Sequence, residues 1–462
     1  MSHPYMANSA PERRQELLDA VGIEDAETLF AQIPAAHRMQ RELVLPPQLA
    51  AEAQLSRHLR DALARNADCE QNLSFLGGGV WQHYVPAVCD EIAQRTEFVT
   101  PVWGTPASDL GRNQAWFEFA SQLGELLDYD FVGLPVYSWG CAAGHAIRMA
   151  ARLTGRDQVI VPATLDRERL AVVRTYCEPV EMPSHIDVIA VDADPETGRI
   201  DLGHLRALLT DRVAAVYLET PGSLGVIETD AAAIARLARA AGAETIAGVD
   251  PLSLGVLAPP GSWGADIAVG PTQPLGVHMN CGGGVGGFIA TRDEERYARE
   301  YPTLQVSAAP TIVPGELGFT MTLFEQSSYG SRELGKDWTG NSVYLWAVVN
   351  ATYMALMGPQ GFRELGTTIL QRSHYAAMLL DAIPGVAVRF GGFFKELVVG
   401  FDDTGMSVSA INAALRERGI FGGAYLSQDF PDLGQSALYC VTEVHTQDDI
   451  ERLSAALTEV TA

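Results

Sequence analysis

Short apolar runs alternate with helix-length segments through the middle of the chain. The strand-like runs lie at 158–161, 186–191, 213–218, 245–250, 266–270 and 287–291. Helical segments occupy several of the intervals between them, including 140–153 and 231–241. Apolar runs that lack strict alternation and are separated by helices are typical of a parallel sheet covered on both faces. The pattern therefore predicts a large α/β domain with a parallel-rich sheet.

The segment before this domain has the pattern of helices joined by irregular chain. Ser9 and Glu12 have the spacing of a capping box, and Gly22 is placed to end the helix that it would start. A second helix is expected over 50–66, where leucines recur every fourth residue. The triple glycine at 77–79 predicts a break, and another helix is expected from about Val80.

The C-terminal part mixes helices with short strands. Helices are expected at about 341–357, at 361–382 and from about 447, and strands at 385–390, 396–401 and 437–442. We therefore predict three parts: an N-terminal helical arm at 1–111, the large α/β domain at 112–315, and a smaller α+β domain at 316–462.

Composition narrows the class of protein. The 462 residues carry 32 Lys and Arg against 57 Asp and Glu, a formal net charge of −25. Such an acidic chain, which has no basic run, is not expected to bind nucleic acid. It also lacks the roughly 18 consecutive apolar residues of a membrane span. Six scattered cysteines without a C-x-x-C pair favour buried thiols in a reducing compartment, so we expect a soluble cytoplasmic protein.

Three segments could carry a ligand at the carboxyl edge of the predicted sheet. The turn at 137–143 opens a helix and could hold a phosphate, although a plain helix start explains it as well. Asp250 ends a predicted strand and could hold a protonated pyridine nitrogen, or could only cap the next turn. The glycine-rich run at 281–287 allows close backbone approach to a ligand or another chain, or forms a tight turn alone.

Several longer blocks resemble one known family. The most specific are FLGGGVWQHYVPAV at 75–88 and DPLSLGVLAPPG at 250–261, with shorter blocks at 264–270, 273–276 and 288–291. Together they resemble subunit 1 of the two-subunit bacterial glycine dehydrogenase (decarboxylating), the P-protein of the glycine cleavage system. The resemblance implies a PLP-dependent transferase fold of the aspartate aminotransferase type. It also implies a homologous second subunit that carries PLP, in a heterotetramer that decarboxylates glycine and passes the aminomethyl group to a lipoyl carrier protein.

The residues at the expected Schiff-base position cannot react with PLP. In this fold the aldimine lysine follows the strand after the ring-binding acid, but here Thr272 and Gln273 stand there, and neither side chain is an amine. The chain has only two lysines, Lys336 and Lys395, and both are expected to be solvated surface charges. We therefore predict no covalent PLP on this chain, no catalytic residue in cis, no metal, and a vestigial Asp250.

The resemblance instead implies that this chain completes the site of its partner. His83 and Tyr84 follow the triple glycine and are the best candidates for polar contacts in trans, although they could equally be an interface pair that only packs. Thr100 and Asn341 are further candidates. The backbone N–H groups of Gly282, Gly283 and Gly284 could bind the phosphate of the partner's cofactor.

Departures from the family pattern are concentrated in polar segments. The family's Tyr-Thr-Pro-Tyr-Gln-Pro-Glu is VTPVWGT at 99–105, without either tyrosine. Its Tyr-Asp-Gly-Ala turn becomes Ser-Trp-Gly-Cys at 138–141, and its His-Pro-Glu-Tyr becomes Asp-Arg-Glu-Arg at 166–169. Two alternatives therefore stay open: a diverged heteromeric PLP enzyme in specialised metabolism, whose site Trp103 and Trp139 reshape for another amino acid, or a purely structural or regulatory subunit.

Overall fold

The structure is a computed structural model that describes residues 5–99, 106–181, 184–322, 336–339 and 343–462. It divides into two compact units, Met1–Ala67 and Asp68–Ala462. The domain boundaries expected at 111/112 and 315/316 stay predictions.

The described part of the N-terminal unit contains two α-helices, α1 (Pro11–Val21) and α2 (Glu52–Leu63), and neither has a buried residue. Gly22 ends α1 in the left-handed conformation, as predicted. The capping box was wrong: Ala10 is the N-cap, and the Ser9 hydroxyl donates to the Met6 carbonyl at 2.6 Å instead.

The second unit contains the remaining helices and all the strands of the described chain. The strands are β1 (Leu73–Ser74), β2 (Phe131–Val132), β3 (Gln158–Pro162), β4 (Asp187–Val191), β5 (Val213–Glu219), β6 (Glu244–Gly248), β7 (Ile267–Pro271), β8 (Gly287–Thr291), β9 (Gln305–Pro310), β10 (Leu317–Thr322), β11 (Ala387–Val388), β12 (Glu396–Gly400), β13 (Ile420–Phe421), β14 (Ala424–Tyr425) and β15 (Ser436–Cys440). The helices are α3 (Ala87–Ala93), α4 (Pro106–Leu127), α5 (Trp139–Thr154), α6 (Arg167–Cys177), α7 (Leu202–Leu208), α8 (Ala231–Ala240), α9 (Pro260–Trp263), α10 (Glu295–Ala298), α11 (Tyr344–Asp381), α12 (Val408–Glu417) and α13 (Gln447–Thr461).

A seven-stranded mixed sheet forms the centre of this unit, with the strand order β2-β8-β7-β6-β5-β3-β4. The five strands from β7 to β4 are parallel, β8 runs antiparallel to them, and the edge strand β2, which is antiparallel to β8, has the direction of the five. Each of β5 to β8 is buried along its whole length, which explains their unbroken apolar sequence. The predicted α/β class is confirmed, and the carboxyl ends of β3, β5, β6 and β7 meet at one edge.

A smaller antiparallel sheet, in the order β11-β12-β15-β14, packs with α12 and α13 in the C-terminal part. The two helices predicted at 341–357 and 361–382 both lie within the range of α11, and the break between them is confirmed at Gly358, whose φ of 57° is not helical and which precedes Pro359. No helix begins at Val80: the chain there is irregular, and α3 starts after Pro86. No helix in the described residues is long and apolar enough to cross a bilayer.

Candidate functional site

Charged side chains converge where the carboxyl edge of the large sheet meets the small sheet. Glu219 is the last residue of β5, and Asp250 follows β6. Lys395 and Glu396 stand at the start of β12, on the facing sheet. We call the space between these elements the edge pocket; its lining includes Trp81, Trp139, Arg169, Asp250, Lys395 and Glu396.

Lys395 lies inside the edge pocket. Its Nζ forms an ion pair with Asp250 Oδ2 at 2.8 Å, and both side chains are at least 96% buried. The same Nζ lies 3.0 Å from His83 Nε2 and 3.3 Å from the centre of the Trp81 ring. The expectation of a solvated Lys395 was therefore wrong, because a carboxylate, an imidazole and an aromatic face together replace its hydration shell.

His83 extends this buried contact towards the surface. The Lys395 ammonium has only donors, so His83 Nε2 accepts, and the proton on Nδ1 is donated to Glu443 Oε2 at 2.7 Å. Burial would raise the pKa of Glu443, but the hydrogen bonds that its carboxylate accepts from His83 and from the Tyr84 backbone N–H outweigh it and lower the pKa to about 2. His83 thus links Lys395 to Glu443 within the chain.

A second buried ion pair fills the other side of the edge pocket. Arg169 binds Glu219 through two hydrogen bonds of 2.9 and 3.0 Å, and its guanidinium lies 4.1 Å from the centre of the Trp139 ring. Tyr217 and Ser223 also donate to the Glu219 carboxylate. The bidentate geometry and the nearby carboxylates raise the pKa of Arg169 despite its burial, so it remains a cation.

Glu396, on the small sheet, binds the segment that contains the triple glycine at 77–79. Its Oε1 accepts from Trp81 Nε1 at 2.8 Å and from the Gly78 backbone at 2.6 Å. Burial raises its pKa, although these donors and the Lys395 charge act in the opposite direction. A Cβ at Gly77 would lie 2.2 Å from Glu396 Oε1, so only glycine lets the loop approach so closely. Gly77, the first residue of the triple glycine, therefore has a packing reason.

The edge pocket does not fit PLP. The cavity that remains between its side chains measures about 10 Å³, close to the minimum for one water and far below the roughly 300 Å³ of a small-molecule site. Gln273 follows β7 without an amine, and its amide is used to bind the Trp81 backbone at 3.2 and 3.0 Å. Thr272 donates to the Val285 carbonyl at 3.2 Å and is also fully buried.

The residues predicted to face a partner are placed differently from one another. His83 is buried and bonded within the chain, whereas the Tyr84 side chain is 66% exposed. Thr100 and Asn341 lie outside the described residues, as does most of the segment at 99–105.

The glycine turn at 282–284 is exposed, but two of its three backbone N–H groups are used inside the turn. Gly282 donates to Met279 and Gly283 donates to Asn280. Of the three glycines, only Gly284 remains a candidate to donate its backbone N–H to the phosphate of the partner's cofactor. Lys336 pairs with Glu300 and keeps 31% of its side chain exposed.

Sequence reasoning missed most of the edge pocket, namely Trp81, Arg169, Glu219, Glu396 and Glu443. Two features of the sequence nevertheless indicate these residues. The departures from the family pattern at Trp139 and Arg169 are adjacent in space. In addition, Lys395 is one of only two lysines in a chain whose other basic residues are all arginines.

Comparisons with known proteins agree on one family. The profile of the glycine cleavage system P-protein matches residues 3–457. A probable glycine dehydrogenase (decarboxylating) subunit 1 from Staphylothermus marinus is 34% identical and covers 99% of this chain and 98% of its own. Proteins with the same name from Desulfitobacterium hafniense and Thermococcus onnurineus are each 33% identical, over 99% and 100% of both chains respectively.

Solved structures confirm the predicted PLP-dependent transferase fold. A glycine decarboxylase (P-protein) of the glycine cleavage system, solved in inhibitor-bound form, superposes with a TM-score of 0.88 at 32% identity over 100% of both chains. A sphingosine-1-phosphate lyase from Burkholderia pseudomallei gives 0.65 at 17% identity, covering 93% of this chain and 94% of its own, and supports the fold alone.

Proposed function

The chain belongs to the glycine cleavage system P-protein family, and we propose that it is the PLP-free α-type subunit of a heteromeric glycine dehydrogenase (decarboxylating). Its relatives named subunit 1 match it over nearly their whole length, and that name implies a second subunit. In this proposal the homologous partner binds PLP, which supplies the electron sink for decarboxylation of glycine. The aminomethyl group then passes to a lipoyl carrier protein.

One observation carries the assignment of PLP to the partner: Lys395 already occupies the carboxylate of Asp250. The aldehyde carbon and the ring nitrogen of PLP lie at opposite ends of the pyridine ring. A lysine bound to the first and a carboxylate bound to the second must therefore be separated by the whole ring. An Nζ–Oδ2 distance of 2.8 Å leaves no room for the ring, which supports the proposal that Lys395 is not a displaced Schiff-base lysine.

This chain would then contribute surface contacts to the partner's site. Tyr84 is the best supported contact, because its side chain is exposed while Glu443 holds its backbone N–H at 2.8 Å. His83 acts behind it as a positioning residue, since its ring binds the same carboxylate. Thr100, Asn341 and the Gly284 backbone remain further candidates. We propose two such heterodimers per molecule and, because all six cysteines are free thiols, a cytoplasmic location.

The position of Trp139 does not support the alternative, in which the complex acts on another amino acid. This side chain is buried in the chain's own edge pocket, against Arg169, and does not face a partner's substrate. Trp103 lies outside the described residues. Glycine therefore stays the proposed substrate.

Borohydride reduction of the reconstituted complex tests the proposal. We expect the isolated chain to show no aldimine absorbance with PLP. In the complex, we expect the reduced pyridoxyl group on a lysine of the partner only, together with glycine-dependent release of carbon dioxide. A pyridoxyl peptide containing Lys395 or Lys336 would overturn the proposal.

A second measurement separates a contribution to the site from a purely structural or regulatory role. Tyr84→Phe in the complex is expected to lower turnover several-fold while assembly, followed by light scattering, is unchanged. Tyr425→Phe is the matched control, because Tyr425 is also an exposed tyrosine but lies on β14 of the small sheet. Unchanged turnover with Tyr84→Phe would favour the structural role.

A further inference from the structure

We propose that Lys395 is the permanent occupant of the vestigial cofactor site, and that the site it fills is a binding site for a primary alkylammonium group. This inference rests on the proposed function, in which the chain holds no PLP. The tethered ammonium takes the place of a protonated ring nitrogen beside Asp250. A Lys395→Ala chain would then accept a free alkylammonium ion of matching length.

The first argument is charge. Asp250 is 3% exposed, and a buried carboxylate without a compensating cation is strongly destabilising. In PLP enzymes of this fold, the equivalent acid is balanced by the protonated pyridine. Here the Lys395 ammonium supplies the same charge at 2.8 Å from the carboxylate. The fold thus retains the acid and replaces its partner with a side chain.

The second argument is the shape of the surroundings. A primary ammonium has three donors, and three different groups surround Nζ: the Asp250 carboxylate, the His83 Nε2 lone pair, and the face of the Trp81 ring. The Trp81 backbone is fixed by the Gln273 amide, and its indole N–H is fixed by Glu396. These contacts make a rigid cage that selects an ammonium rather than any apolar group of similar volume.

The third argument is the balance of charge around the cage. Four carboxylates lie in or beside it, on Asp250, Glu219, Glu396 and Glu443, against the two cations Lys395 and Arg169. Arg169 is held by Glu219 through two hydrogen bonds and cannot serve Asp250 as well. Without Lys395 the cage would keep a net negative charge, which favours uptake of a cation.

Chemical rescue tests the inference on the isolated chain. Lys395→Ala removes three methylene groups and the ammonium, which together correspond to n-propylammonium. We expect this variant to unfold about 4–6 °C lower than the native chain. Added n-propylammonium should raise the midpoint saturably and recover at least half of the loss. The matched control is Lys336→Ala, which removes the other, partly exposed lysine and should change the midpoint by no more than about 1 °C, with no rescue.

Two comparisons distinguish charge substitution from simple filling of a cavity. The neutral analogue 1-propanol should give no saturable rescue, and rescue equal to that of n-propylammonium would overturn the inference. The neutral pair Lys395→Met with Asp250→Asn should be more stable than either single variant, because it leaves no unpaired buried charge. This double variant also serves if Lys395→Ala does not fold. A double variant whose loss equals the sum of the single losses would overturn the inference.

These results are independent of the test of the proposed function. Failure of the proposed function would place a reduced pyridoxyl group on Lys395 of the native chain. Failure of this inference alone would leave the native chain free of PLP and the Lys395→Ala variant unresponsive to n-propylammonium.

Discussion

At the scale of single residues, two departures from the family pattern contact each other in the structure. Trp139 and Arg169 stand where the resemblance led us to expect an acid and a tyrosine. In the structure the guanidinium of Arg169 packs on the Trp139 ring and binds Glu219. A bulky ring and a cation together fill space and balance a carboxylate, which neither change does alone. The departures therefore fit a site rebuilt around its own side chains better than random drift.

The pH dependence of stability provides a test of the chain of contacts that ends at Glu443. The folded state lowers the pKa of Glu443 from 4.5 to about 2. A lowered pKa stabilises the folded protein above pH 4.5 by about 3 kcal/mol, and this contribution is lost as the pH falls through 2. Glu443→Gln should therefore cost about 3 kcal/mol at pH 7, and the difference should shrink to about half by pH 3.

Urea unfolding of the native chain and the variant at pH 7, 5 and 3 measures this difference. Glu417→Gln is the control, because Glu417 is exposed at the end of α12 and should change stability by less than about 0.5 kcal/mol at any of these values. A cost of Glu443→Gln that does not vary with pH would show that the carboxylate has no special stabilisation by His83.

At the scale of elements, the sequence predicted those parts whose burial follows from local pattern. The strands β3 to β8 appear within about two residues of their predicted positions. For β5 to β8 the reason is that a strand buried on both faces must be apolar throughout, whereas β4 is an edge strand in which only Val191 is buried. The helix expected at Val80 does not form, because the neighbouring Trp81 backbone is bonded to the side chain of Gln273, 192 residues away. No local pattern contains such a contact.

The residues of the edge pocket could not be predicted either, because they too are far apart in the sequence. Lys395 and Asp250 are brought together only when the small sheet packs on the large one. On general grounds a lone lysine belongs on the surface, and only its partners in space reverse that expectation. The resemblance gave Asp250 and the missing Schiff-base amine, which are the parts of the site that sequence motifs can show.

The position of the small sheet on the large one depends on Gly225. This residue lies between β5 and α8 with a φ of 81°, and a Cβ there would lie 2.0 Å from the carbonyl oxygen of Glu396. Gly225→Ala should therefore push away the start of β12, which carries Lys395, and cost at least about 2 kcal/mol. The measurement is the urea midpoint of the isolated chain.

Gly391→Ala is the matched control for this change, because a Cβ at Gly391 meets no atom within 4 Å. It should cost less than about 1 kcal/mol. Equal stability of the two variants would mean that the close approach of Gly225 to β12 does not hold the sheets together.

At the scale of the whole molecule, the chain has the fold of PLP-dependent transferases, and its own buried side chains fill the carboxyl edge of the large sheet. Two buried ion pairs, Lys395 with Asp250 and Arg169 with Glu219, now occupy the edge where this fold places its cofactor. These ion pairs hold the shape of that edge through the side chains of this chain alone. In the proposed heteromer, where the partner provides the chemistry, such stability before assembly would suit a subunit that provides shape and contacts.

The two lysines allow this view of the whole chain to be tested by amine labelling. Lys336 keeps 31% of its side chain exposed and Lys395 only 3%, so a reagent such as acetic anhydride should modify Lys336 of the folded chain. Modification of Lys395 requires opening of the edge pocket and should be at least about 100-fold slower. In urea both lysines should react at similar rates, as followed by mass spectrometry of the peptides. Equal labelling of Lys395 and Lys336 in the folded chain would mean that the edge pocket is open in solution, and that the ion pair with Asp250 does not close it.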